Sequence, residues 1–159
     1  MTTAEVLPVD LARVALFAGL PDDELAALAA VATRRSLPDG GVLFRRGEPA
    51  RHLHVVVAGG IVLRADGNGR SVIVDTLGPG DVVGWSAMRE DAVTLSTGRG
   101  VGPTELLSIP IDPIIDLASG GSAQARTLVR RIVGIAARNL EASWHQLLQV
   151  DTDQVITGG

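Results

Sequence analysis

The sequence predicts a mainly β fold: a β-roll, or jelly roll, preceded by helices and followed by one long C-terminal helix. Three observations predict it. Apolar residues recur with helical spacing near the N-terminus, short β-rich runs separated by turn residues fill the middle, and a helical pattern without breaks fills the end. We therefore expect one domain over residues 1–150 of the 159-residue chain. Within it we place helices over 10–34, the roll over 36–109, a short helix over 113–118 and a long helix over 122–150, followed by a flexible tail over 151–159.

The N-terminal section predicts two helices. The first covers Asp10–Phe17. Pro21 or Asp22 begins the second, whose early acidic residues stabilise the positive end of a helix dipole. The apolar stripe of this second helix has i, i+3, i+4, i+7 spacing and comprises Leu25, Leu28, Ala29 and Ala32.

The middle section predicts short strands separated by glycine-rich turns. About seven or eight such strands are typical of a sandwich or jelly roll rather than of a parallel sheet. Asn68-Gly69 is a strong hairpin signal, because both residues tolerate a positive φ. The predicted strands are Val42–Phe44, Leu53–Val57, Ile61–Arg64, Ser71–Leu77, Asp81–Val83, Ala92–Thr97 and Glu105–Ile109.

The long C-terminal helix carries a heptad pattern after a predicted N-cap at Ser122. This helix is longer than a small roll can cover, so we predict a homodimer through it. The alternative is one helix lying across its own roll. The predicted dimer contacts are Val129, Val133, Ala136, Leu140 and Leu147, and a second apolar row beside them comprises Leu128, Ile132, Ile135 and Ala142.

The composition excludes several kinds of chemistry. All 14 basic residues are arginine, and cysteine is absent. Without lysine there is no P-loop lysine or Schiff base, and without cysteine there is no thiol nucleophile, disulfide or cysteine-bound metal. The net charge of −4 argues against nonspecific nucleic-acid binding. No apolar run is long enough for a membrane span, and no signal peptide is evident, so we expect a soluble cytoplasmic protein.

Two further patterns are candidates for binding sites. His52-Leu53-His54 resembles the His-x-His of metal-binding cupins, but the glutamate and third histidine of such a site are missing, so no metal is expected. We expect instead that one of these histidines lies on the surface and that the other is packed in the interior. The basic side of the long helix is predicted to be a solvated face or a docking strip for an acidic partner. It comprises Arg126, Arg130, Arg131 and Arg138.

The order of the motifs resembles that of the cyclic-nucleotide-binding domain family, in its Crp-like form. The resemblance covers roughly 16–116, with the long helix matching by position. It rests on Leu16-Phe17-x-x-Leu20, the turn Arg46-Gly47-Glu48-Pro49, the strand Leu53-His54-Val55-Val56-Val57-Ala58-Gly59, the turn Leu77-Gly78-Pro79-Gly80-Asp81 and the strand Glu105–Ile109.

The resemblance implies a phosphate-binding cassette, and this sequence departs from it. A Gly-Glu pair and a later arginine hold the ribose and the phosphate in that family. Here Trp85 follows Gly84, and the arginine position falls at Thr94 or Leu95, with Arg89 and Arg99 on either side. Either arginine is close enough in sequence to reach the pocket. The candidate ligand pocket comprises Val83, Gly84, Trp85, Ser86, Ala87, Leu95, Ser96 and Thr97.

These patterns predict a non-catalytic regulatory module that senses a ligand, with cyclic-nucleotide specificity altered or lost and no cofactor. The alternative is a protein-interaction or assembly adaptor whose pocket is filled by side chains such as Trp85. Transcription factors of this family carry a helix-turn-helix after the long helix. Only residues 151–159 follow it here, so no direct DNA binding is expected.

Overall fold

The computed structural model describes residues 4–156, and for residues 146, 147 and 149–156 it describes the backbone alone. Helices α1 (Pro8–Ala12) and α2 (Asp22–Val31) and a 3₁₀ turn (Ala15–Phe17) precede the strands. The strands are β1 (Thr33–Leu37), β2 (Val42–Phe44), β3 (His52–Gly67), β4 (Arg70–Leu77), β5 (Val82–Val83) and β6 (Thr97–Pro110). A 3₁₀ helix (Trp85–Met88) lies between β5 and β6, and helices α3 (Ile111–Gly120) and α4 (Ala123–Ile156) complete the described chain.

The six described strands form one antiparallel sheet that confirms the predicted β-roll. The order is β1-β6-β3-β4, with β2 paired to β6 and β5 paired to β3. The hairpin predicted at Asn68-Gly69 joins β3 to β4, and both residues have a positive φ, 51° and 72°. Buried apolar residues form a large core beneath the helices, together with a smaller cluster of Leu43, Val56, Ile61, Val83 and Leu106 inside the roll.

Several strand predictions are wrong in their bounds. The predicted strand Glu105–Ile109 is only the C-terminal part of β6, which begins at Thr97. Leu53–Val57 and Ile61–Arg64 belong to the single strand β3, because the intervening glycines form a bulge where the pairing with β6 shifts register rather than a turn. Residues 92–96 form no strand and make one isolated bridge, from Val93 to Pro49. The helical section ends at Val31 rather than at 34, and β1 follows it. The sequence of β1 is polar and shows no strand pattern, although β1 pairs with β6 along its full length.

Other helix bounds also differ from the prediction. The first predicted helix divides into α1 and a 3₁₀ turn. Helix α3 begins at Ile111, since Pro113 lies in its first turn, where a missing N–H costs no hydrogen bond. Residues 151–156 continue α4 instead of forming a flexible tail.

The N-terminal end of α4 is fixed to the N-terminal helices by two side chains. The buried carboxylate of Glu24 on α2 accepts hydrogen bonds from the Ser122 N–H at 2.7 Å and from the Ser122 hydroxyl at 2.8 Å. The Ser122 Oγ in turn accepts from the Ala125 N–H at 3.1 Å, which confirms the predicted N-cap. Arg131 donates to the carbonyl oxygens of Leu16 and Ala18 at 3.0 and 2.8 Å.

These contacts correct part of the prediction for the basic side of α4. Arg131 is not a solvated side chain, because its guanidinium satisfies carbonyl groups of the N-terminal section. Arg126, Arg130 and Arg138 remain exposed.

Within residues 4–156, no helix combines the length and the apolar character that crossing a bilayer requires.

Candidate functional site

A cavity of about 480 Å³ lies between the roll and α4, and we call it the roll pocket. Strands β2, β3 and β4 form one wall, residues 84–86 and 94–96 form another, and α4 closes the cavity. Most of the lining is apolar. The apolar lining residues are Phe44, Leu63, Ala65, Val74, Trp85, Leu95, Leu140 and Ala142.

Five of the eight predicted pocket residues line the roll pocket. They are Gly84, Trp85, Ser86, Leu95 and Ser96. The structure places the other three elsewhere. Val83 is buried in the small cluster inside the roll and Ala87 in the main core. Thr97 lies on the outer face, where its Oγ1 accepts a hydrogen bond from the Arg46 N–H at 3.1 Å.

Gly84 sets the path of the chain into the pocket wall. Its φ of 91° is in the left-handed region, and a Cβ atom at this position would stand 2.6 Å from the carbonyl oxygen of His52. The 3₁₀ helix begins directly after it, with the Ala87 N–H donating to the Gly84 carbonyl at 3.0 Å. The half-buried Trp85 packs against the main core, so the cavity remains open beside it.

The roll pocket contains no basic side chain among its described lining residues, and its one charged group is the carboxylate of Asp75. Arg89 lines a separate cavity near Met88. Arg99 lies on the outer face, where its Nη1 donates to the Gly40 carbonyl at 3.0 Å. The expectation that either arginine could reach the pocket is therefore not met in this structure.

Both candidates for the arginine position line the pocket without supplying a charge. The Thr94 side chain is buried and its hydroxyl donates to the Arg45 carbonyl oxygen. The backbone of Thr94 is also fixed, since its N–H donates to the Glu48 carbonyl at 2.9 Å. Leu95 is 66% exposed and stands at the rim of the pocket.

Sequence reasoning missed the polar groups that other elements supply to this pocket. The sequence around Asp75 is typical of a turn or a solvated strand position, yet this residue lines the cavity from β4. Asn139 and Ser143 come from α4, and the Ser143 hydroxyl donates to the Asn139 carbonyl at 3.0 Å. Their i, i+4 spacing places them on one helix face, a signal that could have identified them.

His54 and His52 occupy different environments, as the favoured reading of the His-x-His pattern predicted. His52 is exposed, whereas His54 is buried and its Nδ1 lies 2.7 Å from the Ser108 Oγ. The His54 ring also packs near Phe44, with centroids 6.1 Å apart. Burial, followed by the nearby positive charges of Arg35 and His52, lowers the pKa of His54 to about 3 from its ordinary 6.5. No group of three or more metal-ligating side chains occurs within the described part of the chain.

The neutral state of His54 predicts a loss of stability in mild acid. The unfolded chain titrates this group near 6.5, so the unfolded state binds more protons below that pH. The stabilisation is therefore complete above pH 6.5 and is lost as the pH falls towards 3. We expect the free energy of unfolding to be about 2 kcal/mol lower at pH 5 than at pH 8 from this group alone, measured by urea denaturation.

Two variants isolate the contribution of His54. His54→Phe is expected to lower stability at every pH, because Ser108 loses its partner, but to remove this part of the pH dependence. His145→Gln, at an exposed position on α4, serves as the control and should keep the wild-type pH profile. An unchanged profile in His54→Phe would contradict the assignment.

Comparison with known proteins identifies the class of domain that this roll and pocket represent. The family model of the cyclic nucleotide-binding domain matches residues 34–120, more than half of the chain. The chain therefore belongs to the cyclic nucleotide-binding domain family, as its motifs predicted.

The chain also resembles particular members of that family. It is 30% identical over 132 residues to a proposed potassium channel protein of Rhodopseudomonas palustris, covering 82% of this chain and 31% of the relative. It is 24% identical over 138 residues to a CRP-like cAMP-activated global transcriptional regulator of Mycobacterium tuberculosis, covering 86% of this chain and 60% of the relative. The chain thus spans less than two thirds of either curated relative.

One solved structure shares this fold over nearly the full length of the solved chain. It is a proposed cyclic nucleotide-binding protein of Geobacter metallireducens, with a TM-score of 0.71 and 22% sequence identity. The match covers 85% of this chain and 98% of that one.

Proposed function

We propose that this chain is a non-catalytic regulatory module that senses a small, largely apolar ligand without negative charge in the roll pocket. The observation that carries this proposal is the charge of the pocket, whose described lining combines eight apolar residues with Asp75 and no cation. The cavity of about 480 Å³ is within the size range of small-molecule sites.

A phosphate group is poorly matched to this lining. A hydrogen bond to a charged group contributes about 1.5–3 kcal/mol. Trp85 stands at the glutamate position of the family cassette and Thr94 or Leu95 at its arginine position, so neither of these bonds is supplied here. The Asp75 carboxylate would repel an anion in the same apolar cavity. These features support altered rather than retained cyclic-nucleotide specificity.

The second candidate is an adaptor that takes no small ligand. Exposed apolar side chains on the edge strand β4, Val72 and Ile73, favour this alternative, because such a strand can pair with another chain. The open cavity weighs against the form of this alternative in which Trp85 fills the pocket, since Trp85 packs against the core.

We further propose that the module dimerises through α4. The second apolar row faces its own roll, since Leu128 and Ile132 are buried. The predicted contacts Val133 and Leu140 are 57% and 60% exposed, and Trp144 beside them is 60% exposed. Val129 and Ala136 are half-buried, and the side chain of Leu147 lies outside the described residues. The exposed members form an apolar stripe suited to a second copy of the helix.

Leu140 connects the proposed ligand site with the proposed dimer interface. It lines the roll pocket and also belongs to the exposed stripe of α4. A ligand that contacts Leu140 would therefore change the helix surface available to a partner copy, and by linkage dimerisation would change ligand affinity by the same factor.

The ligand proposal is tested by thermal-shift measurements on the full chain. A panel of uncharged aromatic and aliphatic compounds is compared with cyclic AMP, and adenosine serves as its phosphate-free counterpart. A ligand at about 100 times its Kd should add about 2.7 kcal/mol of stability, a shift of several degrees. We expect such a shift from a member of the uncharged panel and none from cyclic AMP at millimolar concentration.

An engineered arginine provides the matched comparison. Leu95→Arg places a guanidinium at the rim and should strengthen cyclic AMP binding by about tenfold or more. Val93→Arg adds the same charge two residues away on an exposed side chain outside the pocket lining and should not. Strong binding of cyclic AMP by the wild type would contradict the proposal, and no shift with any compound would favour the adaptor.

The dimer is tested by light scattering. The wild type should have the mass of a dimer at about 100 μM, whereas Val133→Glu with Trp144→Glu should be monomeric, because two charges would be buried at the interface. Thr127→Glu, an exposed polar position on α4, is the control and should remain dimeric. A monomeric wild type would exclude this interface.

A further inference from the structure

Arginines converge in a second cleft, of about 450 Å³, on the outer face of the roll. We call it the arginine cleft. Its lining consists of four arginines, Asp66 and the hydroxyl residues Ser71 and Thr97. The arginines are Arg45, Arg46, Arg64 and Arg99. Four cations facing one carboxylate leave an excess of positive charge, although the chain as a whole has a net charge of −4.

The arginine cleft and the roll pocket lie on opposite faces of β3. Leu63 and Ala65 line the roll pocket, whereas Arg64 and Asp66 line the arginine cleft. This alternation follows from the period of a strand, in which successive side chains point to opposite faces. The cleft is therefore separate from the proposed ligand site, and its occupation does not depend on the proposed function.

None of the four guanidinium groups is neutralised by an ion pair within the described part of the chain. Arg46 donates to the carbonyl oxygen of Asp66, and Arg99 donates to that of Gly40 at 3.0 Å. These bonds hold two side chains in place and leave their charge uncompensated. The side chains of Arg45 and Arg64 have no hydrogen-bond partner among the described residues.

The cleft also offers a hydroxyl donor. The Oγ1 of Thr97 accepts the Arg46 N–H at 3.1 Å, and its own proton has no acceptor among the described residues. Ser71 contributes a second hydroxyl at the start of β4. Four guanidinium groups and two hydroxyls thus present donors to a small concave volume in which one carboxylate competes for them.

We propose that the arginine cleft binds a compact, multiply charged phosphate of the di- or triphosphate kind. Guanidinium groups bind phosphate oxygens bidentately, and converging cations repel one another until an anion enters. The concave shape and volume suit a small, densely charged anion better than an extended acidic segment of a protein, which would need a longer groove.

The test is isothermal titration calorimetry of the full chain with orthophosphate, pyrophosphate and triphosphate at one fixed ionic strength. Affinity should rise with the charge of the phosphate. The double variant Arg45→Gln with Arg64→Gln should weaken triphosphate binding at least about tenfold. The control, Arg89→Gln with Arg126→Gln, removes the same charge from exposed sites outside the cleft and should change affinity less than about twofold.

Three results would overturn the proposal: equal weakening in the two double variants, no measurable triphosphate binding by the wild type, or tighter binding of a glutamate-rich peptide than of triphosphate. Thermal melts report whether both double variants are folded. If the glutamine double variant does not fold, Arg45→Lys with Arg64→Lys replaces it, since it keeps the charge and removes the planar fork. That variant should also bind triphosphate more weakly than the wild type, and unchanged affinity would contradict the proposed bidentate contacts.

Discussion

Replacing Gly84 by alanine is expected to lower the free energy of unfolding by about 2–5 kcal/mol, more than the same replacement at Gly80. Both glycines have nearly the same left-handed backbone, with φ of 91° and 89°, and an L-residue in that region costs about 1–2 kcal/mol. A Cβ at Gly80 has no atom within 4 Å, whereas a Cβ at Gly84 would stand 2.6 Å from the His52 carbonyl oxygen. The extra 1–3 kcal/mol, about the cost of overpacking, is the contribution of that clash.

The two alanine variants are compared by urea denaturation. An unchanged dependence of the free energy of unfolding on urea concentration checks that both unfold in two states. The His52 carbonyl is backbone, so it cannot move aside without shifting β3. Because Gly84 precedes the 3₁₀ helix that forms part of the roll pocket, Gly84→Ala should also weaken ligand binding. Equal destabilisation by the two replacements would show that this close contact is not a constraint on the fold.

Glu24→Ala is expected to lower the free energy of unfolding by about 2–4 kcal/mol. The buried carboxylate accepts from both the N–H and the hydroxyl of Ser122, and bonds to a charged group contribute about 1.5–3 kcal/mol each, though not additively. Removing the carboxylate also weakens the N-cap of α4, because Ser122 loses the partner that orients its capping hydroxyl.

The neighbouring residue supplies the control for this change. Asp23→Ala removes the same charge from the same turn of α2, but Asp23 is exposed and should contribute only about 0.3–1 kcal/mol through the helix dipole. Glu24→Gln keeps one acceptor oxygen and should recover part of the loss. Thermal melts of the three variants measure the order, and comparable melting temperatures for the two alanine variants would contradict the role of Glu24.

Local signals in the sequence predicted those parts of the fold that depend on local chemistry. The hairpin at Asn68-Gly69 and the N-cap at Ser122 are of this kind, because a positive φ or a capping hydroxyl depends on a few adjacent residues. Strand β1 was missed because its polar sequence carries no strong period, and only its pairing with β6 makes it a strand.

The candidate site was predicted where it follows the order of the family motifs and missed where distant segments meet. Gly84, Trp85 and Leu95 were identified from their place in the chain. Asp75 lies within the predicted strand Ser71–Leu77, but its contact with the cavity depends on how β4 and α4 face each other. The place of Glu24 in the first turn of α2 predicts only an interaction with the helix dipole, because its partner Ser122 is 98 positions away and no local pattern connects them.

The contacts at the start of α4 fix the N-terminal end of this helix to the rest of the domain. Glu24 and Arg131 fix its first turns to the N-terminal helices, and Leu128 and Ile132 bury the same stretch. Beyond them the helix continues to Ile156, so its full length is about 50 Å at ~1.5 Å per residue. A small tilt of α4 at the roll pocket would therefore displace its C-terminal end further than its fixed N-terminal end.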